Sequence, residues 1–206
     1  VAADIGGQFR NVDVSDSDSV ATGFEGLTPR ICVNCAGIAP GAKTVDRDGQ
    51  AHNAALFAKA ININLIGTFN VASQCAALMV AQAPLDDDGA RGAIINTASV
   101  AAFEGQIGQT AYAASKGGVA ALTLPMARDL SRSGVRVVGI APGLFLTPML
   151  EGLPQEVQDS LGAQAPFPAR LGKPAEFASL VHPIVENQML NGEVIRLDAA
   201  IRMTPK

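Results

Sequence analysis

The fold is decided by Ser99-Val-Ala-Ala-Phe-Glu-Gly-Gln-Ile-Gly-Gln-Thr-Ala-Tyr112-Ala-Ala-Ser-Lys116, a stretch that joins a predicted strand to a predicted long helix. Residues four apart on a helix share a face, so helical Tyr112 and Lys116 would place an ammonium beside a phenol. A nearby positive charge favours phenolate. We therefore predict a pKa for Tyr112 below the usual value of about 10 and an acid/base role near neutral pH. The hydroxyl of Ser99 would hold a carbonyl oxygen while Tyr112 protonates it.

The same tyrosine–lysine spacing also occurs on solvated helices, where it carries no chemistry. Two observations favour the chemical interpretation. A serine lies thirteen residues before Tyr112, and Tyr112 is the single tyrosine of the sequence.

Strand-like apolar runs alternate with longer helical patterns along the chain. This alternation predicts βαβ units, and hence an α/β fold of the Rossmann-like, doubly wound type: a parallel sheet between two layers of helices. Ligands of such sheets bind outside the carboxyl ends of the strands, where Asn34, Ser99 and Pro142-Gly143 fall. The predicted strands are 9–14, 31–34, 93–97, 135–140 and 194–197, and the predicted helices are 60–83, 110–131 and 176–186.

Bulk composition predicts one globular domain over residues 1–206. The chain is 48% hydrophobic, with mean hydropathy +0.24 and net charge −4, which indicates no nucleic-acid partner. The apolar region 54–84 is interrupted by polar residues, so we predict no membrane span. Cys32, Cys35 and Cys75 are interpreted as reduced thiols of an intracellular protein, and isolated His52 and His182 as surface residues, with no metal site.

A proline-rich segment near the C-terminal third is predicted to form a lid over the site, within a substrate loop of about 144–173. The alternative is that this segment is an ordinary loop that packs on the domain without covering a site. Its apolar residues would wall a slot with Gln106 at the mouth, or would only pack the loop or a subunit contact. These apolar residues are Leu144, Phe145, Leu146, Met149, Leu150 and Leu153.

Several motifs resemble the short-chain dehydrogenase/reductases from about residue 9 to the end. Besides the Ser99, Tyr112 and Lys116 spacing, Asn34-Cys-Ala-Gly37 resembles the N-[NC]-A-G turn. Asp13-Val14 resembles the pair that flanks adenine, Ile63-Asn64-Leu-Ile-Gly67 the catalytic-asparagine motif, and Ala141-Pro-Gly-Leu-Phe-Leu-Thr147 the nicotinamide loop.

The resemblance implies the roles of individual residues. The catalytic set would be Asn64, Ser99, Tyr112 and Lys116, with Asn64 anchoring a water that relays the proton and Lys116 also holding the nicotinamide ribose. The implied substrate residues are Ser99, Gln106, Tyr112, Leu144 and Leu146. The implied cofactor residues are Asp13, Val14, Asn34, Cys35, Ala36, Gly37, Tyr112, Lys116, Pro142, Gly143, Phe145 and Thr147.

A narrower resemblance, to the type II 3-hydroxyacyl-CoA dehydrogenases, is carried by four segments: 92–106, 141–145, 166–172 and 190–198. It implies NAD as cofactor without excluding NADP, an acyl-CoA substrate, a homotetramer, and a cytoplasmic location, or the mitochondrial matrix in a eukaryote. The alternatives are an NADPH-dependent 3-oxoacyl reductase, a hydroxysteroid dehydrogenase, and a non-catalytic binding scaffold on the same fold.

Two departures from the family pattern concern the N-terminal part. The family begins with a strand, a glycine-rich phosphate-binding turn, a helix and a second strand, none of which precedes Val1. The segment 14–31 is also shorter than its family counterpart. We expect the full protein to contain residues that this sequence lacks; the alternative is a natural fragment that cannot bind the dinucleotide.

Overall fold

A four-stranded parallel sheet forms the centre of the computed structural model, which describes residues 2–205 apart from the side chain of Met149. The strand order follows the chain, and the register places Asn34, Asn96 and Gly139 side by side on three neighbouring strands. The predicted parallel sheet is confirmed. Its strands are β1 (Ile31–Asn34), β2 (Gly92–Thr97), β3 (Val135–Pro142) and β4 (Val194–Leu197).

Seven α-helices lie among the described residues. They are α1 (Ser17–Gly23), α2 (Ala54–Ile61), α3 (Gly67–Val80), α4 (Thr110–Asp129), α5 (Pro148–Glu151), α6 (Gln155–Gly162) and α7 (Pro174–Glu186). A π-helical turn, Asn62–Ile66, joins α2 to α3 without a break. Short 3₁₀ turns cover Ala3–Ile5, Val100–Ala102 and Ser131–Ser133.

The core has two halves, one on each face of the sheet. Alternate residues of a strand point to opposite faces, so Ile94 of β2 packs with Met79 and Met126 of the helices α3 and α4, whereas Ile95 packs with Ile184 of α7. Ile94 and Ile95 are both fully buried, as expected of a parallel sheet covered on both sides. The predicted three-layer architecture is therefore confirmed.

The predicted strand 9–14 is wrong. No ladder forms there, and the side chain of Phe9 is 81% exposed. A strand needs a neighbour for its backbone groups, and among the described residues β1 has β2 on one side and no strand on the other. A side chain holds the segment 9–14 in place instead: the Arg10 guanidinium donates to Gly23 O and Glu25 O.

The long apolar helix begins earlier than predicted. Asn53 caps it by accepting from the amides of Ala55 and Leu56, so α2 starts at Ala54 rather than at residue 60. By length and composition alone, Ala54–Val80 is apolar enough to cross a membrane. Here its buried residues Cys75 and Met79 pack on the sheet, which is the arrangement of a core helix.

Candidate active site

Ser99 lies directly beyond the carboxyl end of β2, as predicted. It is 8% exposed, and its Oγ accepts from the amide of Ala101 at 3.1 Å, which starts the 3₁₀ turn Val100–Ala102. The same hydroxyl lies close enough to the phenol of Tyr112 to lower the pKa of that phenol. The structure therefore brings together the two groups that the sequence placed thirteen residues apart.

Tyr112 and Lys116 occupy successive turns at the start of α4. The Nζ of Lys116 lies 6.0 Å from the centroid of the Tyr112 ring and donates to Thr97 O at 2.7 Å. Ser115 Oγ donates to Tyr112 O at 2.7 Å. The predicted helical placement of ammonium beside phenol is confirmed.

The predicted direction of the Tyr112 pKa is wrong for the ligand-free protein. Burial raises the pKa of Tyr112, and the neighbouring Ser99 hydroxyl only partly offsets this effect. Burial also lowers the pKa of Lys116 to about 8, against a smaller opposing effect of the neighbouring Cys35. The prediction counted the ammonium's charge but not the loss of water around both groups. Tyr112 is consequently a protonated acid at neutral pH before any ligand binds.

Asn64 is fully buried in the π-helical turn, where it holds the loop after β1. Its Oδ1 accepts from Ile38 N at 2.8 Å, and its Nδ2 donates to Ile38 O at 2.8 Å and to Ser115 Oγ at 2.9 Å. Both amide hydrogens are thus in use. A Cβ added to Gly37 would lie 3.2 Å from Asn64 Oδ1 and 3.6 Å from Lys116 Nζ, so this loop passes directly over the site.

The predicted cofactor residues at the end of β1 have two different surroundings. Asn34 is buried and donates from Nδ2 to Asn96 Oδ1 at 2.9 Å, which locks β1 to β2. Cys35 is exposed, with its Sγ 3.7 Å from Thr97 Oγ1, and Ala36 is exposed as well. Asn34 is therefore a support for the edge, and the loop from Cys35 to Gly37 is the part that a ligand can reach.

Asp13 and Val14 lie beside the start of α3. Asp13 Oδ1 accepts from the amide and the hydroxyl of Ser15, and these bonds hold the pKa of Asp13 below its usual range. Val14 packs so closely on Gly67 that a Cβ there would lie 2.6 Å from Val14 Cγ2, and Asn70 donates to Val14 O at 3.0 Å. The pair is thus anchored to the helix that carries Asn64.

The loop that follows β3 is held by the chain after β4. Gly143 N donates to Leu197 O at 2.9 Å, and a Cβ on Gly143 would lie 3.0 Å from Asp198 Cα, so a side chain here would require the neighbouring chain to shift. Pro142 ends β3, and exposed Thr147 precedes α5. The predicted nicotinamide loop is therefore built at the same edge as Ser99.

The predicted apolar slot differs from the cavity that the structure shows. A cavity of about 240 Å³ is lined by Leu144 and Phe145, but Leu146, Gln106 and the predicted catalytic residues are not part of its lining. The ring of Phe145 faces Gly172, and both residues lie in the predicted substrate loop 144–173. Gln106 donates from Nε2 to Thr204 O instead of lining a mouth. The slot was predicted from side-chain type, which does not show where a loop folds back.

Several supporting groups were not predicted from the sequence. The Thr97 carbonyl that holds Lys116 and the Ile38 backbone that holds Asn64 belong to no motif. Ser115 precedes Lys116, and its position inside the Tyr112–Lys116 spacing was the one available signal. Asn96, fully buried, could have been suspected from a polar residue inside the apolar run of β2. Among the described residues, no group of three His, Cys, Asp or Glu side chains is placed to hold a metal.

Comparison with known proteins agrees with this geometry. Residues 7–158 match the family described as short chain dehydrogenase. The chain is 59% identical to the 3-hydroxyacyl-CoA dehydrogenase type-2 of Rattus norvegicus over 176 residues, covering 85% of this chain and 67% of that protein. It is 50% identical to the protein of that name from Drosophila melanogaster over 213 residues, covering 100% and 83%.

A solved structure supports the same assignment. The 3-hydroxyacyl-CoA dehydrogenase type-2 from Mycobacterium avium matches with a TM-score of 0.91 at 43% identity, over 100% of this chain and 82% of that one. The serine, tyrosine and lysine that define the site lie within the matched residues. The chain therefore belongs to the short-chain dehydrogenase family, and it is an oxidoreductase of the class that works with a nicotinamide cofactor.

Proposed function

We propose that the protein interconverts 3-hydroxyacyl-CoA and 3-oxoacyl-CoA, with NAD as the hydride carrier. The observation that carries the proposal is the meeting of Ser99, Tyr112 and Lys116 at the carboxyl edge of the sheet. The substrate class rests on the relatives named 3-hydroxyacyl-CoA dehydrogenase type-2, at 59% and 50% identity.

The residues at this edge fit the nicotinamide end of a dinucleotide. Gly37 leaves open a space that a side chain would fill against Asn64 and Lys116, and the exposed loop from Cys35 to Gly37 borders it. Lys116 would hold the nicotinamide ribose there, with the Pro142–Thr147 loop on the far side. When bound, NAD supplies the hydride acceptor for alcohol oxidation.

Proton transfer is the task of Tyr112. In reduction its protonated phenol gives a proton to the carbonyl oxygen, which the Ser99 hydroxyl orients. In oxidation the phenolate must accept the hydroxyl proton. Because burial raises the pKa of Tyr112, oxidation requires a higher pH or a stabilising charge from Lys116.

We assign Asn64 to the proton path through its backbone. Its amide hydrogens are bonded to Ile38 and Ser115, so its side chain has no donor left for a water, whereas its backbone carbonyl lies in the π-helical turn and accepts from Thr68 Oγ1 at 2.7 Å. A water bound at that carbonyl would connect the site to solvent. The resemblance implies only that Asn64 anchors a water, and the occupied side-chain amide favours the backbone carbonyl for that role.

The decisive experiment measures initial rates on C4 to C10 3-hydroxyacyl-CoAs with NAD and with NADP, beside a hydroxysteroid and small secondary alcohols. Each buried methylene is worth about 0.8 kcal/mol, so kcat/KM should rise up to about fourfold per methylene until the binding site is full. Brisk steroid or small-alcohol oxidation without acyl-CoA turnover would overturn the substrate assignment. A preference for NADP would favour the 3-oxoacyl reductase, and no turnover at all would favour a binding scaffold.

We further propose a homotetramer in a reducing compartment. The side chains of Ile66 and Phe69 lie one turn apart on the long helix and are 43% and 49% exposed, which suits a subunit contact. The three cysteines are all free thiols, with no disulfide between them, which suits a reducing compartment. Light scattering of the purified protein and of Phe69→Lys tests the assembly: the wild type should have four times the monomer mass and the variant a smaller mass.

A further inference from the structure

The loop 103–109 spans the chain between the two reacting side chains, Ser99 and Tyr112. Its first residues follow the 3₁₀ turn that Ser99 caps, and Glu104 N donates to Val100 O at 3.0 Å. Its last residues run directly into α4. We therefore expect a displacement of this loop to change how the serine hydroxyl faces the phenol.

A group of partly buried charges is centred on this loop. The Glu104 carboxylate accepts from Arg196 Nη1 at 2.8 Å and from Arg196 Nη2 at 3.2 Å, with side chains 22% and 24% exposed. Arg202 Nε lies 3.4 Å from Glu104, and Arg196 Nε donates to Asp198 Oδ2 at 2.7 Å. The Arg196 guanidinium also lies 5.5 Å from the centroid of the Phe103 ring. Paired, two-point contacts of this type are strong and directional.

The segment 201–205 runs alongside the same loop and is bonded to it at three points. These bonds run from Met203 N to Glu104 Oε2 at 2.9 Å, from Gln106 Nε2 to Thr204 O at 3.0 Å, and from Ile107 N to Pro205 O at 3.0 Å. The loop is thus fastened along its length to residues almost a hundred positions away.

The other end of this arrangement touches the nicotinamide loop. Gly143 is packed against the Cα of Asp198 and hydrogen-bonded to Leu197 O. Asp198 is in turn bonded to Arg196, which holds Glu104. One chain of contacts consequently links the loop that positions Ser99 and Tyr112 to the loop that borders the cofactor site.

We infer that Glu104, held by Arg196, is a positioning residue that keeps Ser99 and Tyr112 aligned for proton transfer. Glu104 touches neither side chain and acts through the 103–109 loop. The inference rests on the proposed function for its kinetic test, but not for its spectroscopic test.

The kinetic test compares Glu104→Gln, Arg196→Gln and the double variant. Glu104→Gln keeps the shape of the side chain and removes its charge, and we expect kcat to fall about tenfold while KM for both substrates changes less than about threefold. Because the two residues act as one unit, the double variant should also lose about tenfold. Losses that multiply to about a hundredfold would contradict the shared action, and a lower Tm with unchanged kcat would make the pair merely structural.

Arg202→Gln is a second variant, chosen because it should not disturb the fold. Its side chain is 62% exposed, so its replacement leaves the packing intact and removes one of the two cations beside Glu104. We expect a loss in kcat of about twofold, smaller than that of Glu104→Gln, since the contact is longer and single. An Arg202→Gln loss as large as that of Glu104→Gln would contradict the assignment of Arg196 as the main holder.

The spectroscopic test uses Tyr112, the single tyrosine of a sequence without tryptophan. Tyrosinate absorbance, read by stopped-flow pH jump before unfolding, reports the pKa of this phenol alone, with or without turnover. Loss of alignment weakens the effect of the Ser99 hydroxyl that lowers this pKa, so Glu104→Gln should raise the midpoint by roughly one pH unit. A midpoint that stays or falls would overturn the inference.

Glu176→Gln is the matched control. Its carboxylate also pairs with an arginine at two points, with Arg170 at 2.7 Å and 2.9 Å, and otherwise accepts from the Lys173 amide. These bonds stay within residues 170–176. The control should leave both kcat and the Tyr112 midpoint at their wild-type values; a Tyr112 shift equal to that of Glu104→Gln would overturn the inference.

Discussion

The buried ammonium of Lys116 should make the stability of the ligand-free protein depend on pH. Lys116 is 5% exposed, and burial lowers its pKa to about 8, from about 10.4 in an unfolded chain. Below pH 8 both states are charged, so the native state bears the whole cost of the buried charge. At 1.36 kcal/mol per pKa unit, that cost is about 3 kcal/mol at pH 7.

The sign follows from proton counting. Between pH 8 and about 10.4 the unfolded chain binds a proton that the native state has released, so the stability of the wild type rises with pH. Lys116→Met removes the titrating group and loses the bond to Thr97 O, a loss that does not vary with pH. The stability of Lys116→Met relative to the wild type should therefore fall by roughly 2 kcal/mol between pH 7 and pH 9.5.

Urea unfolding of both proteins at several pH values, without cofactor, measures this difference. Lys59→Met is the control, because Lys59 is exposed on α2, where water can solvate its ammonium. The control should show no comparable change in its difference from the wild type. A Lys116→Met difference that is constant from pH 7 to pH 9.5 would refute the argument that burial lowers the pKa of Lys116.

Three further predictions test the catalytic and structural assignments. Tyr112→Phe should lose about 10²–10⁴-fold in activity and keep its fold, whereas Thr123→Val, which removes a buried hydroxyl from the same helix, should retain turnover; near-normal rates in Tyr112→Phe would contradict its role. The kcat/KM for oxidation should rise with pH above neutral and that for reduction should not, because burial raises the pKa of Tyr112; a flat oxidation profile would show that another group is the base. Gly134→Ala should destabilise the protein by more than about 2 kcal/mol in urea unfolding, since its Cβ would clash with Gly89 O at a φ of +67°; Gly26→Ala, at +72° with open space around it, should cost only about 1 kcal/mol, and equal losses would assign the effect to φ alone.

The local patterns that the sequence contains were sufficient for the order of the four strands and of the longer helices α3, α4 and α7, but not for the short helices α1, α5 and α6. The unbroken run of buried residues in β2 and the continuous helix 110–129 arise from residues that are neighbours in the sequence, so 93–97 and 110–131 were predicted close to their observed bounds. The tyrosine–lysine spacing became a shared face because helix geometry is the same in every helix. The strand at 9–14 failed for the opposite reason, since a strand exists only with a neighbour that local sequence does not show.

Tertiary structure alone decided the electrostatics and the supports of the site. Whether Tyr112 is more or less acidic depends on how much water its surroundings exclude, and that is a property of the packed loops rather than of the spacing to Lys116. The bond from Lys116 to Thr97 O and the pairing of Glu104 with Arg196 join residues 19 and 92 positions apart. By itself, the sequence determined which chemical groups the protein has and on which elements they lie; the long-range contacts decided how those groups are oriented and charged, because both depend on distance in space.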